Sequence, residues 1–178
     1  MSIMKIFKVI LIVIFVLIIG LIYIVFNYPK ADPEILLIPN NYIGEVIVVF
    51  NQRNGKPVEF ENKKRVYRIP KSGILFTQFT YNPGVINQEY YSIDSIGNRH
   101  EIEYRPFMDD RDNYIDQPNK IGIHRLLVGF YETDSCIVKT DQLIVSSHKQ
   151  FTDFSCYDRM MEVMDTICVF NLPTPIKD

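Results

Sequence analysis

Four aspartates in the middle of the chain are the residues whose type and spacing most suggest a chemical role. They lie in the stretch from 105 to 120, which holds two prolines and shows no apolar periodicity: Asp109, Asp110, Asp112 and Asp116. A hard cation such as calcium would accept these oxygens, but the stretch lacks the glycine and the bidentate glutamate of an EF-hand. We therefore expect a solvated acidic loop, with a calcium site as the alternative.

Patterns for catalysis are incomplete in this sequence. His100 and Glu101 begin a zinc-protease motif, but Tyr104 stands where the second histidine is required. The equal spacing of His100, His124 and His148 has no accompanying repeat, so we predict no shared metal site. A Gly-x-Ser-x-Gly nucleophile pattern is also absent from the sequence. We expect no catalytic residue and no bound cofactor.

The three cysteines, Cys136, Cys156 and Cys168, form an odd set. In an exported domain they allow one disulfide, in any of three pairings, and one spare thiol. In a reducing compartment all three would be buried apolar residues. We favour free cysteines, and the pairing stays open.

An uninterrupted apolar run near the N-terminus predicts a membrane anchor. Residues Val9 to Phe26 hold eighteen positions without a charge. As a helix they would span about 27 Å, close to the roughly 30 Å of a hydrocarbon core. A cleaved signal peptide is the rival interpretation, but no small-residue cleavage site follows the run. We predict a single-pass signal anchor at 9–26 and a linker at 27–34.

The charges beside this run predict its orientation. The tail 1–8 carries Lys5 and Lys8 without an acidic residue, whereas Lys30 on the other side is followed by Asp32 and Glu34. The excess of lysine favours a cytoplasmic tail, which places the following domain outside the cytoplasm. The opposite topology, with the domain facing the cytoplasm, is the alternative.

Short segments with turn residues between them predict a mainly β domain over 35–145. Asn54-Gly55 is a strong hairpin signal, and a second hairpin is expected across residues 95 to 98. The longest strand is predicted at 121–131, with short strands at 135–138 and 143–145. Parallel strands usually need helices between them, so we predict an antiparallel β-sandwich.

The C-terminal part, 146–178, is predicted to be a helical extension. Apolar residues recur at spacings of three and four and indicate an amphipathic helix over about 153–166. Its stripe includes Tyr157, Met160, Met161 and Met164. We expect this stripe to cover an edge or face of the sheet, and the alternative is an adaptable partner-binding face.

Two segments of the β region resemble a known group of sequences. They are Leu37-Ile38-Pro39 followed by Tyr42 and Gly44, and Ile69-Pro70 followed by Ser72-Gly73. Over about 35–131 the chain resembles an uncharacterised family of bacterial cell-envelope domains. The resemblance implies a small β domain tethered to a membrane, with no assigned activity. The chain lacks the family's lipoprotein cysteine, and its motif residues are expected to be structural.

These features together predict a non-enzymatic binding module. We expect a membrane-anchored, extracytoplasmic domain with an unidentified envelope protein as partner, and an immunity-like protein is one version of that function. The formal charge of −2 gives no reason to expect a nucleic-acid partner. The alternative is a cation-dependent ligand-binding or hydrolytic envelope domain that uses the 109–116 loop.

Overall fold

A computed structural model of the chain describes residues 3–28, 30–105, 117–133, 136–151, 154 and 156–169. It divides into two compact units, one formed by Met1–Ala31 with Pro83–Ile86 and the other by Asp32–Asn82 with Asn87–Asp178. The acidic loop 109–116 lies outside the described residues, as do the side chains of the three cysteines. The calcium and disulfide alternatives therefore stay predictions.

The first unit is built around a long helix. Helix α1 covers Ile3–Phe26 and contains the whole of the predicted span. Lys30 forms a parallel bridge with Val85, and the Ala31 N–H donates to the Val85 carbonyl at 3.2 Å. Taken over the described residues alone, no helix is long and apolar enough to cross a membrane. The predicted single-pass span is therefore not confirmed.

The second unit consists mainly of two β-sheets with short helices after the last strand. In chain order its elements are β1 (Glu34–Pro39), β2 (Gly44–Val49), β3 (Phe60–Glu61), β4 (Lys64–Arg68), β5 (Ile74–Phe76), β6 (Gln88–Ile93), β7 (Arg99–Glu101), β8 (Ile121–Thr133), β9 (Cys136–Ser147), α2 (His148–Phe151) and α3 (Cys156–Val169). The first sheet has the order β3-β4-β1-β6-β7, and the second has the order β5-β2-β9-β8. The prediction of a mainly β sandwich is confirmed.

Both sheets are mixed, so the predicted antiparallel topology is wrong. Strand β1 is parallel to β4 and to β6, and β2 is parallel to β5. Parallel neighbours need a long crossover, which a helix usually supplies. Here the crossover is a strand of the opposite sheet, because β2 lies between β1 and β4 in the chain and β5 lies between β4 and β6. The sequence pattern cannot distinguish this arrangement from a series of hairpins.

The hairpin predicted at Asn54-Gly55 is also wrong. The chain leaves β2 in the second sheet and enters β3 in the first, so the two strands do not pair. Gly55 has another role, since a Cβ atom there would lie 2.7 Å from the Thr77 backbone nitrogen. The residue is therefore required for a close backbone approach to the segment after β5.

The other predicted hairpin agrees with the structure. Strands β6 and β7 pair across residues 94 to 98, where the Asp94 carboxylate accepts from the Ile96 and Asn98 backbone N–H groups at 3.0 and 2.8 Å. Strand β8 pairs with β9 along its length, with a bulge between Arg125 and Leu127. Residues 136–138 and 143–145, which were predicted to lie in two short strands, belong to the single strand β9.

Apolar side chains fill the space between the sheets and also cover one outer face. Inward residues of both sheets share one buried cluster, which includes Leu36, Ile38, Val46, Val48 and Leu143. A second buried cluster joins α3 to the outer face of the second sheet and includes Ile47, Val49, Val138, Met164 and Ile167. The prediction that the C-terminal helix covers a sheet face is confirmed.

Candidate functional site

The residues of the two sequence motifs meet where β2 begins. The Tyr42 hydroxyl donates to the Glu45 carbonyl at 2.5 Å, and burial raises the pKa of this phenol, which keeps its proton available. A Cβ atom at Gly73 would lie 2.0 Å from the Tyr42 oxygen and 2.3 Å from the Glu45 carbonyl oxygen. Gly73 also has a φ of 80°. This contact, which we call the tyrosine latch, admits only glycine at that position.

The latch also receives a contact from α3. The Arg159 guanidinium donates to the Ser72 carbonyl, and its Nε lies 3.9 Å from the Glu45 carboxylate. The turn that carries the second motif thus packs against Tyr42 at Gly73 and accepts a hydrogen bond from the helix at Ser72. The structural role expected for the motif residues agrees with this geometry.

A set of buried polar side chains connects the two sheets. Gln88 lies between two carboxylates, and its amide nitrogen donates to Glu34 at 2.5 Å and to Asp141 at 2.9 Å. Arg125 donates to the second oxygen of Asp141 at 2.5 Å and also to the Gln88 amide oxygen. We call these four residues the inter-sheet network, because two come from each sheet.

Tyrosine hydroxyls complete the network. Tyr67 donates to Glu34 at 2.8 Å, and Tyr90 donates to the Gln88 amide oxygen at 2.8 Å. Burial raises the pKa of both phenols, so they remain donors. Burial by itself would lower the pKa of Arg125, but the adjacent Asp141 carboxylate raises it. Arg125 and Asp141 form an ion pair, and the buried Glu34 carboxylate accepts hydrogen bonds from Tyr67, Asn82 and Gln88, so each buried charge has polar partners.

This arrangement serves to hold the sheets together. Its carboxylate oxygens are occupied by donors from the protein itself. In the part of the chain that the structure describes, no group of three or more His, Cys, Asp or Glu side chains is placed to hold a metal ion. The network was not predicted from the sequence, although a signal existed: Arg125 and Asp141 alternate with the buried apolar residues Ile123 and Leu143 on the inward faces of their strands.

A groove opens on the flank of the sandwich between β4 and β5. It has a volume of about 620 Å³, and its apolar lining includes Pro57, Val58, Val66, Ile69 and Leu75. Val66, Ile69 and Leu75 are buried and form its floor, whereas Val58 is 51% exposed at its rim. We call this feature the flank groove. Concave apolar surfaces of this kind are the usual sites of ligand and partner binding.

Three charged residues line the same groove. Arg68 and Glu59 are joined by a two-point ion pair, in which the Nη2–Oε1 distance is 2.6 Å and the Nε–Oε2 distance is 2.9 Å. Bonding to Arg68 lowers the pKa of the Glu59 carboxyl, so the pair stays ionised near neutral pH. Lys56 is exposed and forms no ion pair with a described residue. The groove therefore carries one unneutralised positive charge.

A second, smaller cleft lies at the end of β1. Its volume is about 310 Å³, and its lining includes Asn40, Asn41, Tyr42, Ser92 and Glu101. We place the candidate site in the flank groove, because that groove is larger and exposes a hydrophobic rim.

A comparison with protein families matches the family of unknown function DUF6843 over residues 30–160. The chain belongs to this family. The prediction of an uncharacterised family is thereby confirmed. The domain is also similar in fold to a crystal structure of a candidate lipoprotein from Bacillus anthracis, with a TM-score of 0.57 and 22% sequence identity. That similarity covers 78% of this chain and 95% of the other. No curated protein matches the chain.

The sequence-predicted site residues of the DUF6843 protein have different locations. Met164 is fully buried in the cluster beneath α3, and Met160 packs against that cluster. Met161 is partly exposed, and the side chain of Tyr157 lies outside the described set. The four aspartates of the 109–116 loop are outside it as well. The flank groove was not predicted, because its walls β4 and β5 are consecutive in the chain but belong to different sheets, which no turn signal reveals.

Replacing Gly73 tests the tyrosine latch of the DUF6843 domain. We expect Gly73→Ala to lower the free energy of unfolding by about 2 to 4 kcal/mol, because the methyl group would collide with Tyr42 and φ would be strained. Gly97→Ala is the matched control, since its φ is 93° but nothing lies within 4 Å of its Cβ position. We expect Gly97→Ala to lower the free energy of unfolding by about 1 kcal/mol. Both changes are measured by urea unfolding of the full chain. Equal losses would contradict the latch.

Removing Arg125 tests the inter-sheet network. Arg125→Met leaves the Asp141 carboxylate buried without its cation, so we expect a loss of about 3 to 5 kcal/mol in the free energy of unfolding. Adding Asp141→Leu should restore part of this loss. The control Arg68→Met breaks an exposed ion pair and should cost about 1 kcal/mol or less. A similar small loss at both positions would show that the network does not hold the sheets together.

Proposed function

We propose that this protein is a membrane-anchored, extracytoplasmic binding module that engages a protein partner through the flank groove. The observation that carries the proposal is the groove itself, with its buried apolar floor and its exposed rim residue Val58. An exposed apolar surface beside charged residues is typical of an interaction site. The module acts by binding, and neutralisation of an envelope toxin by an immunity-like contact is one form of that activity.

The proposed anchor is α1, and its support comes from the sequence. The run Val9 to Phe26 has eighteen positions without a charge. From Ile10 to Phe26 the side chains of α1 are apolar on every side and exposed, for example 48% for Ile14 and 81% for Phe26. A helix that is hydrophobic all round needs an apolar environment on all sides, which a bilayer provides. A lipoprotein is itself attached to a membrane, so the description of the Bacillus anthracis structure also supports an envelope location.

The anchor and its orientation are tested together in cells. We expect the full chain to stay in carbonate-washed membranes and a C-terminal alkaline phosphatase fusion to be active, because Lys5 and Lys8 keep the short tail inside. The double change Leu17→Arg and Ile18→Arg should weaken insertion by about 5 to 7 kcal/mol and release the chain. The control Leu17→Ala with Ile18→Ala should remain bound. If the phosphatase fusion were inactive and a C-terminal fluorescent-protein fusion were fluorescent, the domain would face the cytoplasm, which would contradict the proposed orientation.

The partner contact is tested by photo-crosslinking of the full chain in its membrane. A photoreactive residue at position 58 should give a discrete adduct, because Val58 lies at the groove rim. The same residue at position 96 is the control, since Ile96 is 82% exposed but is not among the residues that line the groove. Adducts at neither position, or equal adducts at both, would count against partner binding at the groove.

A further inference from the structure

We infer that the flank groove binds an extended peptide strand of the partner, with apolar side chains and at least one acidic side chain. This inference rests on the proposed function and specifies the chemistry of the partner. It follows from open backbone groups on β4 within the groove and on β5 beside it, from the apolar floor, and from the charge at Lys56.

The first wall is the edge of β4, where pairing with the preceding segment stops early. Glu61 pairs with Lys64, and the Val66 N–H donates to the Glu59 carbonyl at 2.8 Å. Hydrogen-bonded positions of an antiparallel ladder recur at every second residue, so the next pair would join residues 57 and 68. Residue 57 is proline and has no N–H to donate. Among the described residues, the Arg68 backbone groups have no backbone partner.

The second wall is the outer edge of β5. Lys56 occupies part of this edge, because its N–H donates to the Phe76 carbonyl at 2.7 Å and its carbonyl accepts from Gln78 at 3.0 Å. The backbone groups of residues 74, 76 and 78 face the same side of the strand. Within the described chain, the Phe76 N–H and the Ile74 carbonyl have no backbone hydrogen-bond partner. The edge of β4 therefore offers a donor and an acceptor at the groove-lining residue Arg68, and the edge of β5 offers a further pair at Ile74 and Phe76, next to the lining residue Leu75.

An extended peptide satisfies such groups, whereas an acyl chain cannot. Strand addition uses main-chain hydrogen bonds for affinity and side-chain pockets for specificity. The floor formed by Val66, Ile69 and Leu75 accepts apolar side chains at alternate positions. Because Arg68 is already paired with Glu59, Lys56 provides the unneutralised charge, and an acidic side chain complements it. The observations thus favour a peptide over a lipid.

The test uses fluorescein-labelled pentapeptides and the full chain in neutral lipid nanodiscs. The probe alternates valine with glutamate, a second peptide has lysine in place of glutamate, and a third carries an N-methyl group on the central valine. Fluorescence anisotropy should show saturable binding of the first peptide. The lysine peptide should bind about fivefold more weakly, since an exposed ion pair contributes about 1 kcal/mol. The N-methylated peptide should bind about tenfold more weakly, because it loses a main-chain hydrogen bond.

Variants assign the binding to the groove. Val58→Arg should abolish binding of the glutamate peptide. Ile96→Arg, at an exposed apolar residue that does not line the groove, should leave binding unchanged. Lys56→Glu should reverse the preference between the glutamate and lysine peptides, and the exposed control Lys63→Glu should leave it unchanged.

Three results would overturn the strand inference: no saturable binding, equal binding of the N-methylated peptide, or full binding by Val58→Arg. Binding of a fluorescent fatty acid that Val58→Arg abolishes, with no peptide bound, would show instead that the groove takes an acyl chain. The proposed function is judged separately by the crosslink at position 58. If the crosslink persists while the peptides fail, partner binding stands and the strand inference does not.

Discussion

Burial of the two inner sheet faces against each other is the main constraint on this domain, and the chain meets it by crossing repeatedly from one sheet to the other. Strand β1 belongs to the first sheet, β2 to the second, β3 and β4 to the first, β5 to the second, β6 and β7 to the first, and β8 and β9 to the second. Each crossing brings apolar residues such as Leu36 and Val46 into one core. Because burial of apolar surface is the dominant favourable contribution to folding, the parallel strand pairs follow from this path.

The same crossings determine where the specific contacts of the domain occur. The tyrosine latch packs against the turn from β4 to β5, and the inter-sheet network joins β1 and β6 of the first sheet to β8 and β9 of the second. The flank groove lies between the crossing at 56–59 and the turn at 70–73, where the two sheet edges diverge. A groove with open backbone groups is thus a consequence of the topology. The proposed strand addition would supply hydrogen-bond partners for the backbone groups that remain open at these sheet edges.

Local patterns predicted what depends on near neighbours in the chain. The strands of the β region, the hairpin closed by Asp94 and the need for glycine at position 73 all follow from residues a few positions apart or from the motif resemblance. The antiparallel topology and the Asn54-Gly55 hairpin were wrong, because a turn signal does not reveal whether the next strand stays in the same sheet. The network depends on residues from distant strands, and the groove depends on two consecutive strands that enter different sheets; no local pattern indicates either arrangement.

The most direct test of this account is amide hydrogen exchange of the full chain in nanodiscs, resolved at single residues. The account predicts that the Arg68 and Phe76 amides exchange rapidly, because neither has a backbone partner among the described residues. Their neighbours should be protected, since the Ile69 N–H donates to Leu37 at 2.9 Å and the Thr77 N–H donates to Val49 at 3.0 Å. Slow exchange at Arg68 and Phe76, equal to that of Ile69 and Thr77, would show that both edges are already paired and would contradict an open groove.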